Sequence, residues 1–304
     1  MSEAALGPIE IVVGFTPGGA SDRVARAIAP AMTTALGQPV TVSNRPGAAG
    51  IPAARFVARA RPDGSTLLLG NNSLLAANPI LFSDIGYDPL VDFAPISLIG
   101  LQPSVLVVCP RLAAPDLDTL VALARAKPGA LATAVSGHGS AAHLAAQLFK
   151  VRAGVQLREN SYDGAAPALN DLAAGVVDMM FATASSVLQL IESRAVRPLA
   201  VTGIRRSARL PDVATMSELG FGGFDVTSWH GLAAPAGTDA AVVERLHRAV
   251  VEALRDKGVQ ATLTGLAIDA VGSSPSEFAA HIAAEIPQWA RILSASRTSQ
   301  RSAG

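Results

Sequence analysis

The stretch Ile9-Glu10-Ile11-Val12-Val13-Gly14-Phe15-Thr16-Pro17-Gly18-Gly19-Ala20-Ser21-Asp22 decides the fold. Ile9 to Phe15 is β-branched and apolar and reads as a strand. Pro17, Gly18 and Gly19 break it, and Ser21 to Leu36 reads as a helix, closed by Gly37 and Pro39 as stop signals. A strand that turns through glycines into a helix opens a βαβ unit. Its glycines let the backbone turn sharply and leave the amides unobstructed. Free N–H groups and the positive dipole end of the helix then favour an anion. Turn and capping duty alone explains the same glycines, and on these residues both readings stand.

Working outward, the alternation continues. Gln38 to Ser43 and Thr66 to Gly70 read as strands, with Gly50 to Arg61 as the helix between them. A second series starts with a helix over Leu117 to Ala126. It continues through strands at Leu131 to Val135, Val155 to Glu159, Val176 to Phe181 and Arg197 to Thr202. Helices at Ser140 to Lys150, Ala165 to Ala174 and Ser185 to Ser193 separate them. The pattern predicts an α/β fold with parallel sheets covered by helices on both faces. Phe93 to Pro110, apolar but broken by Gly100 and Pro103, lies between the series. Phe224 to Pro235 follows the second, and helices over Ala240 to Asp256 and Pro275 to Ala295 end the chain. The expected organisation is a discontinuous first domain, 1–102 plus 227–304, and a second domain, 103–226. Two crossing segments join them, and a ligand cleft is expected between them.

Composition removes several functions. The chain has 304 residues, half of them hydrophobic and 16% charged, which suits two well-buried domains rather than disorder. Lys plus Arg and Asp plus Glu both number 24, so no basic excess is left to hold a phosphate backbone, and no nucleic-acid partner is expected. Cys109 is the only cysteine, which excludes an intramolecular disulfide and a thiolate metal cluster. No apolar run is long enough to span a membrane, and Met1 to Gly7 lacks the basic-then-apolar pattern of a signal peptide. The five histidines, His138, His143, His230, His247 and His281, have no metal-ligand spacing, so no metal and no cofactor is expected.

Two more strand-to-helix loops carry chemistry. Ser136-Gly137-His138-Gly139-Ser140 repeats the glycine turn in the second series. With Ala141 and Ala142 it also fits G-x-G-x-x-A, and Glu159 stands near the position of a ribose-binding acid. A dinucleotide-dependent oxidoreductase is therefore an alternative, although no catalytic constellation accompanies it. Ser161-Tyr162-Asp163-Gly164-Ala165 offers a tyrosine hydroxyl either to a ligand oxygen or to domain packing. Asp22, in the first helical turn, reads as a dipole or capping residue, or as a partner for a ligand amine or hydroxyl; its charge rules it out as the main anion contact.

These residues resemble a known family. Phe15 to Asp22 with Ala25-Arg26 is similar to the opening signature of the Bug, or tripartite tricarboxylate transporter, solute receptors. The similarity continues through Leu36 to Val40, Asn44-Arg45-Pro46-Gly47-Ala48-Ala49-Gly50, Arg61 to Leu67 and Tyr87-Asp88-Pro89. It runs on through Lys127-Pro128-Gly129, the Ser136 to His143 loop, Tyr162-Asp163-Gly164, Asp171-Leu172, Pro211, Glu218-Leu219-Gly220 and Trp229 to Thr238. Nearly the whole chain is covered in order.

The resemblance implies a two-lobed periplasmic binding protein of the type II "Venus flytrap" kind, without catalysis. Each lobe would be a mainly parallel sheet flanked by helices, joined by two crossing strands. The expected ligand is a small mono- or dicarboxylate, aromatic or amino acids included, held by backbone amides and delivered to a membrane permease. The protein would be a periplasmic monomer with no insertion into the membrane, or such a receptor repurposed as a sensor. Carried over by position, the contacts in the first lobe are Phe15, Gly18, Gly19, Ala20, Asp22, Asn72 and Ser73. In the second lobe they are Ser136, Gly137, His138, Gly139, Ser140 and His143, then Tyr162, Gly164 and Ala165, with Phe181, Thr183, Ala184 and Ser185 closing the pocket. Asp163 stands where the family usually has Lys or Arg, and His230 where an aromatic is common. The acid at 163 disfavours a highly charged ligand such as citrate.

Overall fold

The computed structural model describes residues 7–137 and 139–301, so His138 lies outside the described residues. The chain divides into two compact units, 1–101 with 229–288, and 102–228 with 289–304. The divisions fall within β4 (Phe93–Val108), β9 (Thr227–Pro235) and α10 (Pro275–Arg301).

The first unit is built on β1 (Ile9–Val13), β2 (Val40–Asn44) and β3 (Thr66–Asn71), with β1 parallel to both neighbours. β9 lies antiparallel against β3, pairing Asn71 with His230. Successive strand residues point to opposite faces, so alternation along β1 feeds two cores. Ile11 and Val13 pack with Val24, Ile28 and Met32 of α1 (Ala20–Leu36), and with Leu246 and Val250 of α8 (Ala240–Ala253). Val12 turns the other way, toward Ala54 and Val57 of α2 (Ile51–Ala58), Trp229 and Phe278. Gly231 on β9 lies directly against the Phe278 ring, where any Cβ would collide.

In the second unit β5 (Ala132–Val135) is parallel to β6 (Arg158–Ser161) and β7 (Met179–Thr183). The end of β4 runs antiparallel to β7 and to β8 (Arg197–Val201). The connecting helices are α4 (Leu117–Ala126), α5 (Ala141–Ala153), α6 (Ala165–Ala174) and α7 (Ala184–Glu192). Phe149, Phe181, Phe221 and Phe224 form an aromatic cluster with ring centroids 5.9–6.5 Å apart.

The structure corrects the sequence reading in three places. The sheets are mixed, because β4 and β9 join them antiparallel instead of as crossovers. Phe93 to Val108 is one unbroken strand. Gly100 does not break it but makes room: a Cβ there would meet the carbonyl oxygen of Asp269 at 2.8 Å, on β10 (Asp269–Ala270). Glu159 lies inside β6 rather than at a strand end, since the Val155 amide still bonds Lys150 to close α5. The short helix α3 (Asn78–Leu81), the helix α9 (Lys257–Gly265) and the helical turn Ser73–Ala77 have no counterpart in the sequence reading.

Candidate functional site

In each unit the candidate residues lie at one edge of the sheet, the carboxyl ends of the parallel strands, where open α/β sheets receive ligands. In the first unit, β1 leads into Phe15 to Gly19 and β3 into Asn72 and Ser73. Gly18 has φ +84°, which favours glycine, and Gly19 caps α1 without a side-chain hydrogen bond.

Asp22 folds this turn. Its buried carboxylate accepts from the Gly18 amide at 2.8 Å, Arg26 Nε at 3.0 Å and Asn44 Nδ2 at 2.9 Å. Burial raises its pKa, but the amide of Gly18, Arg26 and Asn44 outweigh that and hold it below the usual carboxylate range. Asn44 also donates to the Phe15 carbonyl at 3.0 Å. The spacing of Asp22 and Arg26, i to i+4, was readable in the sequence; the role of Asn44, 22 residues away, was not.

His230 stands behind α1, buried, with Nε2 3.1 Å from Ser21 Oγ. Burial lowers its pKa to about 4, so the ring is neutral at pH 7. Its Nδ1 has no hydrogen-bond partner among the described residues.

In the second unit, β5, β6 and β7 lead into the turns at Ser136 to Ser140, Tyr162 to Gly164 and Thr183. Gly139 and Gly164 have φ +79° and +109°. Ser140 caps α5, its Oγ accepting from the His143 amide at 3.1 Å and donating to the Gly137 carbonyl at 2.8 Å. His143 is buried, its Nδ1 accepting from the Gly139 amide at 3.2 Å. The Tyr162 hydroxyl donates to Asp171 Oδ2 at 2.7 Å. Ser185 Oγ accepts from Gln102 at 2.9 Å, and the Thr183 hydroxyl donates to Ser186 at 3.0 Å. Phe181 belongs to the aromatic core and Ala184 is fully buried, whereas Gly164 and Ala165 form the uncapped start of α6.

Glu159 is held by Lys150 at 2.7 Å and Gln147 at 2.6 Å. The carboxylate that the dinucleotide reading assigned to a ribose is thus occupied within the fold. Among the described residues no three His, Cys, Asp or Glu side chains gather to hold a metal. A cavity of about 260 Å³ in the first unit, lined by Gln38, Arg61, Asp63 and Arg245 among others, opens beside Ile9 and Ser65. Those are the amino ends of the strands, so it is separate from the glycine turn.

The profile described as "Tripartite tricarboxylate transporter family receptor" matches residues 24–297. Protein BugT of Bordetella pertussis is 39% identical over 287 residues, covering 94% of this chain and 88% of the relative. A solved R. palustris protein with adipate is 33% identical with a TM-score of 0.84, covering 97% of this chain and 98% of that one. MatC from Rhodopseudomonas palustris, with bound malate, is 32% identical with a TM-score of 0.80, covering 94% and 99%. The architecture is that of the periplasmic binding proteins, and no helix among the described residues is long and apolar enough to cross a membrane. These relatives are solute receptors, not enzymes, which removes the oxidoreductase alternative. By its profile match and its relatives, the chain belongs to the tripartite tricarboxylate transporter receptor family, whose members bind small carboxylates in the periplasm.

Proposed function

We propose that the protein is a periplasmic receptor that binds a small mono- or dicarboxylate, as a monomer, and delivers it to the membrane permease of a tripartite transporter. The observation that carries this reading is the repeated turn: in each unit a parallel strand ends in glycines that lead into a helix N-terminus. The acids bound by the relatives, adipate and malate, support the ligand class. An anion held at such a turn needs no cationic side chain. Hydrogen bonds to a charged group contribute about 1.5–3 kcal/mol each, and a helix N-terminus adds up to about 2 kcal/mol. Some four or five such contacts, less the entropy of association, reach the roughly 8 kcal/mol of micromolar binding.

The test is a thermal-shift screen over small organic acids, followed by calorimetry on the best of them. Gly19→Val and Gly139→Val each place a branched side chain where backbone must meet ligand, and at Gly139 also strain a φ of +79°. Each is expected to abolish most of the affinity. Normal binding by both folded variants overturns the assignment of the turns.

A further inference from the structure

A second cavity, of about 310 Å³, opens in the second unit, lined by Pro110, Ile191, Arg194, Val196, Arg197 and Pro198. β8 begins at Arg197, which pairs with Val108 at the end of β4, as does Met179 at the start of β7. The cavity therefore lies at the amino ends of β7 and β8, the edge opposite the turns that follow β5, β6 and β7. Its lining holds two arginines, whose guanidiniums only donate and stay charged, and no acid. Glu192, the acid nearest to Arg194 in the chain, is turned to Arg209 at 3.5 Å. The rest of the wall is aliphatic or proline.

Arg194 holds its place against its own backbone. The left-handed residues that close α1, α5 and α6 are Gly37, Gly154 and Gly175. The left-handed residue that follows α7 is Arg194, at φ +59°, where any residue with a Cβ is strained. Capping does not explain the arginine. The amides of Ser193, Arg194 and Ala195 already reach the carbonyls of Gln189, Ile191 and Leu190 at 2.8–3.0 Å. The Arg194 side chain itself has no hydrogen bond among the described residues. Arg197 is anchored instead: its Nη1 donates to the carbonyls of Ala114 at 3.0 Å and Leu112 at 3.4 Å. Its Nε and Nη2 stay uncommitted among the described residues.

We infer that this cavity is a second binding site, for a small organic anion whose oxyanion head meets Arg194 and Arg197 and whose apolar body packs on Ile191, Val196 and the prolines. A guanidinium presents paired N–H groups that match a carboxylate or a phosphate. Arg197 supplies the fixed half of the seat, and the exposed Arg194 supplies the other. Two charges with no acid in the lining suit a doubly charged head, so an organic phosphate is the probe. The site is separate from the glycine turns and stands whether or not they bind a carboxylate.

The test is methyl NMR of the full chain titrated with phenyl phosphate. It reads the methyl groups of Ile191 and Val196, assigned from the Ile191→Val and Val196→Ala spectra. Both are expected to shift saturably, and affinity is expected to fall at least about tenfold in Arg194→Gly and in Arg197→Met. Arg194→Gly is also expected to melt at or above the wild-type temperature, because it relieves the left-handed strain. Arg194→Asn, which tolerates the same backbone, is the second variant if the first folds poorly. Inorganic phosphate, which has no apolar body, is expected to bind more weakly. The absence of saturable shifts, or affinity retained in the arginine variants, overturns the inference. A lower melting temperature for Arg194→Gly overturns it too, since the arginine would then serve the helix end. Equal binding of inorganic phosphate overturns the assigned ligand class.

Discussion

The two glycine turns present backbone in the same way but are braced from behind by opposite means. In the first unit a carboxylate folds the turn: Asp22 takes the Gly18 amide, and its cation Arg26 is half exposed, with a side-chain exposure of 52%. In the second a serine hydroxyl caps the helix, and the charges stand deeper, as a buried Lys150–Glu159 pair. A motif that serves anions therefore says little about what lies behind it. The first turn is tied by groups that answer to acid, while the second depends on a pair whose members must be kept or lost together.

The sharpest way to break this contrast is Lys150→Met. It leaves Glu159 charged and largely out of water, and breaking a buried pair costs about 3–5 kcal/mol. Denaturant unfolding should show that loss. The double variant Lys150→Met, Glu159→Met should recover most of it, because an apolar pair of similar size needs no compensation. A double variant as unstable as the single one would mean that Glu159 has another structural role.

Asp22→Ala should come next. It strips the acceptor from the Gly18 amide and from Asn44, a loss of about 2–3 kcal/mol, while Arg26 can return to water. Asp22 has a depressed folded pKa, so the stability it provides is full above its unfolded value near 3.8 and is lost as pH falls through the folded value. Acid unfolding of Asp22→Asn should therefore be less steep below about pH 4 than that of the wild type.

The contrast also explains what could be read in advance. Alternation of strands and helices was legible because β-branched runs such as Ile9 to Val13 and periodic helices such as Ala165–Ala174 are local patterns. The glycine turns were legible for the same reason. Partners distant in the chain were not: Asn44 meets Asp22, and His230 meets Ser21 across 209 residues, only because β2, β9 and the start of α1 converge. Glu159 was singled out for its spacing, yet spacing did not show that Lys150 on α5 would reach it. Antiparallel entry of β4 and β9 was equally hidden, since apolar runs carry no direction.

His230 gives a smaller effect with its own signature. Burial lowers its pKa to about 4, against about 6.5 in the unfolded chain. Between those values the unfolded state binds more protons, so the contribution of His230 to stability falls as pH drops from 6.5 to 4, by up to about 1.4 kcal/mol per pH unit. Burial lowers the pKa of His281 in the same direction, so the difference between wild type and His230→Gln isolates the first residue. Unfolding free energies over that range should show a shallower slope in the variant.

Tyr162→Phe gives the smallest expected change and sharpens the second turn. Its hydroxyl donates to Asp171 at 2.7 Å, and the loss of one such bond costs about 1 kcal/mol. If the hydroxyl only braces the loop, a double-mutant cycle with Asp171→Asn recovers that coupling in stability, and affinity for an organic acid stays the same. If the hydroxyl turns to the ligand on binding, affinity falls by more than stability and the coupling to Asp171 disappears in the bound state. Comparing the cycle with and without ligand therefore decides whether the tyrosine belongs to the second unit's brace or to its binding surface.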